Sequence, residues 1–353
     1  MIRNKNKSIF SFFISSLILV FLSQINLMEA DAASGAGFTM QAVIPENQRT
    51  DVTFFDLLVQ PNHEQQLTIV VKNLEEHPIS VVVSPNDAFT NDNGVIEYTK
   101  RIAGDEYIHS SALRFSDVVV DEEIEKEIPA LEETNFHFTI KMPEESYEGM
   151  VLGGFHATRT DEQEIDGETT EVSQGMSIQN RFALVIGARL QEEEQLSIEP
   201  EVELTRAGAT LENGFGRMYA NLHLNKPTAI TQMNVEARVY KDGELRYENS
   251  AENQQMAPLS NYNFQIPVSG DGIVPGDYVM RLSANTEQHQ WEFEKEFTVT
   301  VDDADEVNHQ SLLGDELRQR EQMSYLMMGL IALVVLLTGI IIWILVKRKK
   351  SSK

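Results

Sequence analysis

Apolar and polar residues alternate with period two over much of the chain between residues 33 and 303, the mark of strands that bury one face. Phe136, Phe138, Ile140 and Met142 alternate with His137, Thr139 and Lys141, and Met218, Ala220, Leu222 and Leu224 alternate with Tyr219, Asn221 and His223. Later, Trp291, Phe293, Phe297, Val299 and Val301 share one face, interrupted by Lys295, while Glu292, Glu294, Glu296, Thr298, Thr300 and Asp302 share the other. A one-residue slip would drive those carboxylates into the core, so the register is strongly specified. Turn chemistry separates the runs. Asp242-Gly243 between Val235–Tyr240 and Leu245–Tyr247 predicts a two-residue hairpin. Pro275-Gly276-Asp277 opens another alternating strand, Asn91-Asp92-Asn93-Gly94 precedes Val95–Tyr98, and Leu67–Lys72 and Ile79–Val83 are β-branched runs joined by residues 73–78. Many short strands at this spacing predict an all-β fold of antiparallel sandwiches.

Both ends break the pattern. Arg3, Lys5 and Lys7 precede an apolar stretch from Ile9 to Leu22, and Ala30-Asp31-Ala32 places small residues where a signal peptidase reads. This predicts a signal peptide over 1–32. From Leu326 to Val346 there is no charge, and at 1.5 Å per residue a helix there would span roughly 30 Å, the hydrocarbon thickness of a bilayer. Lys347, Arg348, Lys349, Lys350 and Lys353 follow, which predicts one transmembrane helix (326–346) with a cytoplasmic basic tail (347–353) and everything before it outside. The expected localisation is the cell membrane, single-pass, with the domains facing the wall.

Two composition shifts mark boundaries. The apolar run Phe182–Leu190 is followed by Gln191-Glu192-Glu193-Glu194-Gln195, and the strand pattern stops at Asp302-Asp303-Ala304-Asp305-Glu306. The expected organisation is a first sandwich over 33–190, a second over 191–303 and an acidic, partly helical stalk over 304–325. Residues 161–174 read as a mobile acidic loop between strands.

Charge and residue usage narrow the function. Of the chain's 28 basic and 55 acidic residues, three basic and two acidic lie in 1–32 and five basic in 347–353, leaving a displayed region with 20 and 53, a net charge near −33. Such a surface repels polyanions, so nucleic acid is not an expected partner, whereas cationic proteins are. Cysteine is absent, which removes disulfides, thiolate catalysis and cysteine zinc sites. His63-Glu64-Gln65-Gln66-Leu67 begins like a zincin helix without its second histidine, and no Gly-x-Ser-x-Gly elbow occurs. Neither enzyme activity nor a metal or other cofactor is expected. The tract from Asn86-Asp87 to Glu97 gathers oxygen ligands around a turn glycine, but not at EF-hand spacing, and an Asx turn accounts for the same residues. Trp291, within an alternating apolar face, reads as a core anchor.

The order of several short segments resembles the WxL-interacting proteins of Gram-positive bacteria. They are Gln41–Gln48, Phe55–Leu57, Gln66–Asn73, Ala88–Tyr98 and Glu148–Gly154, then Asn225-Lys226-Pro227, Met256–Ser260 and Pro275–Tyr278. The resemblance implies two tandem immunoglobulin-like β-sandwich domains, a peptidoglycan-binding one followed by a host-binding one, and association with surface proteins that bear the WxL motif. The expected function is a non-enzymatic cell-surface scaffold and adhesin whose partners are WxL-domain proteins, peptidoglycan and host extracellular proteins. Asn91, Asp92, Asn93, Gly94 and Tyr98 are the candidate ligand-binding residues, since polar turn residues beside an aromatic suit sugar contact. One alternative is a membrane-tethered chaperone assisting surface assembly of WxL proteins. A pilus-chaperone mechanism would need a basic pair to clamp a terminal carboxylate, and Arg181 and Arg189 flank a strand without an evident partner. A further alternative, a cell-wall hydrolase, requires two carboxyl groups about 5–10 Å apart in a cleft.

Overall fold

The fold is described from a computed structural model, covering residues 35–102, 113–161, 182–268 and 272–311. The expected signal peptide, the transmembrane run and its basic tail fall outside the described residues, as does nearly all of the acidic loop at 161–174. Among the described residues no helix is long and apolar enough to cross a membrane.

The first body contains β1 (Phe38–Val43), β2 (Phe55–Leu58), β3 (Glu64–Asn73), β4 (Ile79–Asp87), β5 (Phe89–Thr90), β6 (Ile96–Glu97), helix α1 (Phe115–Val118), β7 (Ile124–Ile128), β8 (Glu133–Lys141), β9 (Met150–Arg159) and β10 (Ala183–Gln191). Three strands in the order β1-β3-β8 face five in the order β2-β10-β9-β4-β7, and β5-β6 form a separate small hairpin. The alternation in β8 works as expected: Phe136, Phe138 and Ile140 are fully buried, with Phe138 against Phe155 of β9 at 4.8 Å between ring centroids. The runs Leu67–Lys72 and Ile79–Val83 do not pair with each other, because β3 and β4 lie in opposite sheets and the segment between them crosses over. Buried Asn73 holds that corner. Its Nδ2 donates to the carbonyls of His77, Ile128 and Pro129, and its Oδ1 accepts from the Glu75 amide. The zincin-like run His63–Leu67 is strand from Glu64 onward. One pair departs from the antiparallel expectation: the short edge strand β2 runs parallel to β10.

The second body contains β11 (Val202–Glu212), β12 (Phe215–Leu224), β13 (Ile230–Lys241), β14 (Glu244–Met256), β15 (Asn261–Pro267), β16 (Gly276–Asn285), β17 (Gln290–Val299) and helix α2 (Val301–Gln310). Sheets β11-β12-β15 and β14-β13-β16-β17 enclose a second core that includes Met218, Ala220, Leu222 and Leu224. Asp242 and Gly243 both have positive φ (54° and 80°), the conformation the two-residue hairpin between β13 and β14 demands.

Two expectations near the end are corrected. Strand β17 stops at Val299, and Val301, assigned above to its apolar face, begins α2 and is 59% exposed. The stalk expected from residue 304 does not begin there. Ala304 and Val307, one helical turn apart, are buried in the second core, and Asn308 exchanges two hydrogen bonds with the backbone of Ile273. A helix with an apolar stripe docks wherever that stripe can leave water, whatever the charge of its other face. Trp291 is half-buried at the margin of the core, stacked on His289 with ring centroids 5.7 Å apart.

Candidate functional site

The candidate turn is built by its own side chains. Asn91 Oδ1 accepts from the amides of Asn93 and Val95, each at 3.0 Å, and the Asn91 carbonyl accepts from Gly94 at 2.9 Å. This is the Asx turn the residue types specify. Gly94 takes φ of +69°, and a Cβ there would collide with the Gln254 side chain.

That collision shows what surrounds the turn, because Gln254 belongs to the other sandwich. The Gly94 carbonyl accepts from the Gln255 amide at 2.7 Å, and Ile96 N donates to Gln255 Oε1 at 3.2 Å. Beside them Thr90 Oγ1 lies 2.7 Å from Ser260 Oγ and accepts from Ala257 N at 2.9 Å, while Ser260 Oγ donates to the Ala257 carbonyl at 2.7 Å. Thr90 and Ser260 are both buried, so every polar atom of this cluster must be paired within it, and it is. A third strut runs from Met150 N to the Pro227 carbonyl at 2.9 Å. The Asn91–Gly94 turn is thus the tip of a first-sandwich hairpin seated on β14 and β15.

The five candidate residues are not brought together. Asp92 and Asn93 line a groove of about 320 Å³ between the turn and the second sandwich. Gly94 is enclosed in the joint, and Asn91 is occupied in the turn. Tyr98 lies elsewhere, over Gly154 of β9, where a Cβ would come within 3.1 Å of its ring, and burial pushes its phenol up from the usual value. Beside it Gly153 is filled by the Phe115 ring of α1. The glycine pair in the Glu148–Gly154 segment therefore serves packing across β9. Burial also holds the Tyr262 phenol well above its usual range, with the Asp92 carboxylate across the joint adding to the effect. Its hydroxyl donates to Gln254 Oε1 at 2.5 Å.

Arg189 does have a partner. Its parallel register places it opposite Asp56, whose carboxylate is fully buried and receives Arg189 Nε at 2.7 Å and Nη2 at 2.6 Å. Arg49 Nη1 (2.9 Å) and Thr50 Oγ1 (2.5 Å) complete the cluster. Burial alone would raise this carboxyl, but the guanidinium and hydroxyl hydrogen bonds outweigh it and hold the pKa at about 2. Arg181 lies outside the described residues.

Residues 38–159 match the family model of the WxL Interacting Protein peptidoglycan binding domain, and residues 173–309 match that of its host binding domain. The chain belongs to the WxL-interacting protein family. The WxL-interacting order of domains is the one expected from the short segments, and the second match extends through α2 to residue 309. It also takes in β10, which is hydrogen-bonded into the first sandwich between β2 and β9. Among solved structures the chain is similar to the CupB2 chaperone of Pseudomonas aeruginosa, with 9% identity over 69% of this chain and 96% of that one and a TM-score of 0.27. It is also similar to the E. coli chaperone DraB, with 10% identity over 74% and 96% and a TM-score of 0.27. No curated protein matches. As a WxL-interacting protein the chain carries binding domains for peptidoglycan and for host partners, and the family name implies WxL proteins as partners.

Proposed function

We propose that the chain is a non-enzymatic scaffold and adhesin at the cell surface, tethered by the 326–346 helix, that joins WxL-domain proteins, the wall and host proteins. The observation that carries this reading is the tandem match of a peptidoglycan-binding and a host-binding domain to two sandwiches docked through buried hydrogen bonds. The three-plus-five and three-plus-four division of strands supports an immunoglobulin-like reading of both. The wall-facing surface is taken to be the outward side of the Asn91–Gly94 turn, where Asp92 and Asn93 border a groove. The chaperone alternative is weakened by Arg189, whose guanidinium is already engaged bidentately with Asp56 and does not await a partner's terminal carboxylate.

The test uses detergent-solubilised full chain from its native cells. A WxL-domain protein should co-purify stably, and the chain should sediment with purified peptidoglycan without releasing soluble fragments. Asp92→Ala and Asn93→Ala together should cut sedimentation several-fold. Transient capture of the WxL protein would favour the chaperone role, release of sugar fragments would favour the hydrolase, and unchanged sedimentation of the double variant would remove the turn from the wall-binding surface.

A further inference from the structure

We propose that the groove beside the Asn91–Gly94 turn binds a neutral N-acetylated saccharide, and that the second sandwich supplies one of its walls. The inference rests on the wall-binding reading above and deepens it, by naming the ligand class and by assigning half of the site to the domain matched as host-binding.

Two observations converge. The first is placement. One wall is Asp92 and Asn93 of the first sandwich, and the facing wall includes Arg217, Asn249 and Gln265 of the second. The joint fixes both walls: Gly94 and Ile96 hydrogen-bond Gln255, while Tyr262 holds Gln254. At about 320 Å³ the groove lies at the small end of ligand sites, the size for a short stretch of sugar rings and not for a folded partner.

The second observation is chemistry. Side-chain amides present donors and acceptors on one rigid plane, which is what hydroxyl and acetamido groups require. Asn249 directs its Nδ2 to the Gln265 carbonyl at 2.7 Å and is thereby held in position. Arg217 lies over the Phe215 ring at 5.9 Å, lines the groove and makes no salt bridge among the described residues. Asp92 and Glu212 among the lining residues, together with the net negative chain, exclude a polyanionic wall polymer and leave the uncharged glycan.

The test titrates tetra-N-acetylchitotetraose into the solubilised full chain by calorimetry, with peptidoglycan sedimentation in parallel. Saturable binding is expected, weakened about tenfold by Arg217→Ala and by Gln265→Ala, the loss for one hydrogen-bonding group. Arg238→Ala, on the outer face of the other sheet, should leave it unchanged. Thermal unfolding of each variant separates a lost contact from a lost fold, and Arg217→Lys, which keeps the charge but not the fork, should bind at an intermediate level. If the oligosaccharide binds and Asp92→Ala weakens it while well-folded Arg217→Ala and Gln265→Ala do not, the shared site is overturned and the wall-binding reading stands. If the chain sediments with peptidoglycan through the turn but ignores the oligosaccharide, the ligand class is overturned. If neither occurs, both readings fall.

Discussion

Asp56 shows how much a single residue can carry. Its carboxylate is fully buried between Arg189 and Arg49, and the folded pKa of about 2 lies below the usual 3.8. A carboxyl whose pKa is depressed by folding contributes stability that is complete above its unfolded value and is lost as pH falls through the folded one. The cluster should therefore add about 2 kcal/mol at neutral pH, fading between about pH 4 and pH 2. Urea unfolding of wild type and Asp56→Asn across that window checks this. The variant should be less stable by about 3 kcal/mol at pH 7, because it strands guanidinium groups, and the difference should shrink toward pH 2. A constant difference would remove the ionic account. Nothing local in the sequence announces this pair, since the partners stand 133 positions apart and meet only because β2 lies parallel to β10.

At the scale of elements, alternation identified strands well where one face is buried and the other wet, as in β8 and β12. It failed at Val301, where the period of two was carried one turn too far. The signal against it was present: Thr300-Val301-Asp302-Asp303 is a capping sequence, and the Thr300 side chain accepts from Asp303 N at 3.1 Å while the Asp303 carboxylate accepts from Thr300 N at the same distance. The cap sets where β17 ends and aims Ala304 and Val307 at the core. Thr300→Ala should destabilise the second sandwich by about 1 kcal/mol. The corresponding faster amide exchange should be confined to 301–310 and the residues around Ile273. Uniform exchange across the sandwich would show that the helix is not a separable element.

For the whole molecule, the decisive feature is the joint. The bonds that cross it involve Thr90, Gly94, Ile96 and Met150 on one side and Pro227, Gln255, Ala257 and Ser260 on the other. Gly94 is the point where the turn backbone meets the second sandwich, so a side chain there must displace the hydrogen-bonded Gln254 and Tyr262 side chains from a backbone φ of +69° that already strains an L residue. Gly94→Val should leave each sandwich folded but separate them, seen as a broadened distribution of spin-label distances between the two and as lost sedimentation with peptidoglycan if the groove is the wall site. An unchanged distribution would mean that the remaining struts suffice.

By itself the sequence determined that this chain is a β-rich protein with two cores, where most strands lie, which turn closes β13 onto β14, and which family it belongs to. These follow from period, turn residues and short-range order, which are properties of neighbours along the chain. Tertiary structure alone decided that Asn91–Gly94 is a docking tip as well as a surface turn, that Tyr98 packs over β9, that Arg189 is satisfied by Asp56, and that residues 301–310 pack as part of the second sandwich. Each of those depends on which distant groups are brought within hydrogen-bond or van der Waals reach. Residue type and spacing state what a side chain needs, and only the packed chain states which partner meets the need.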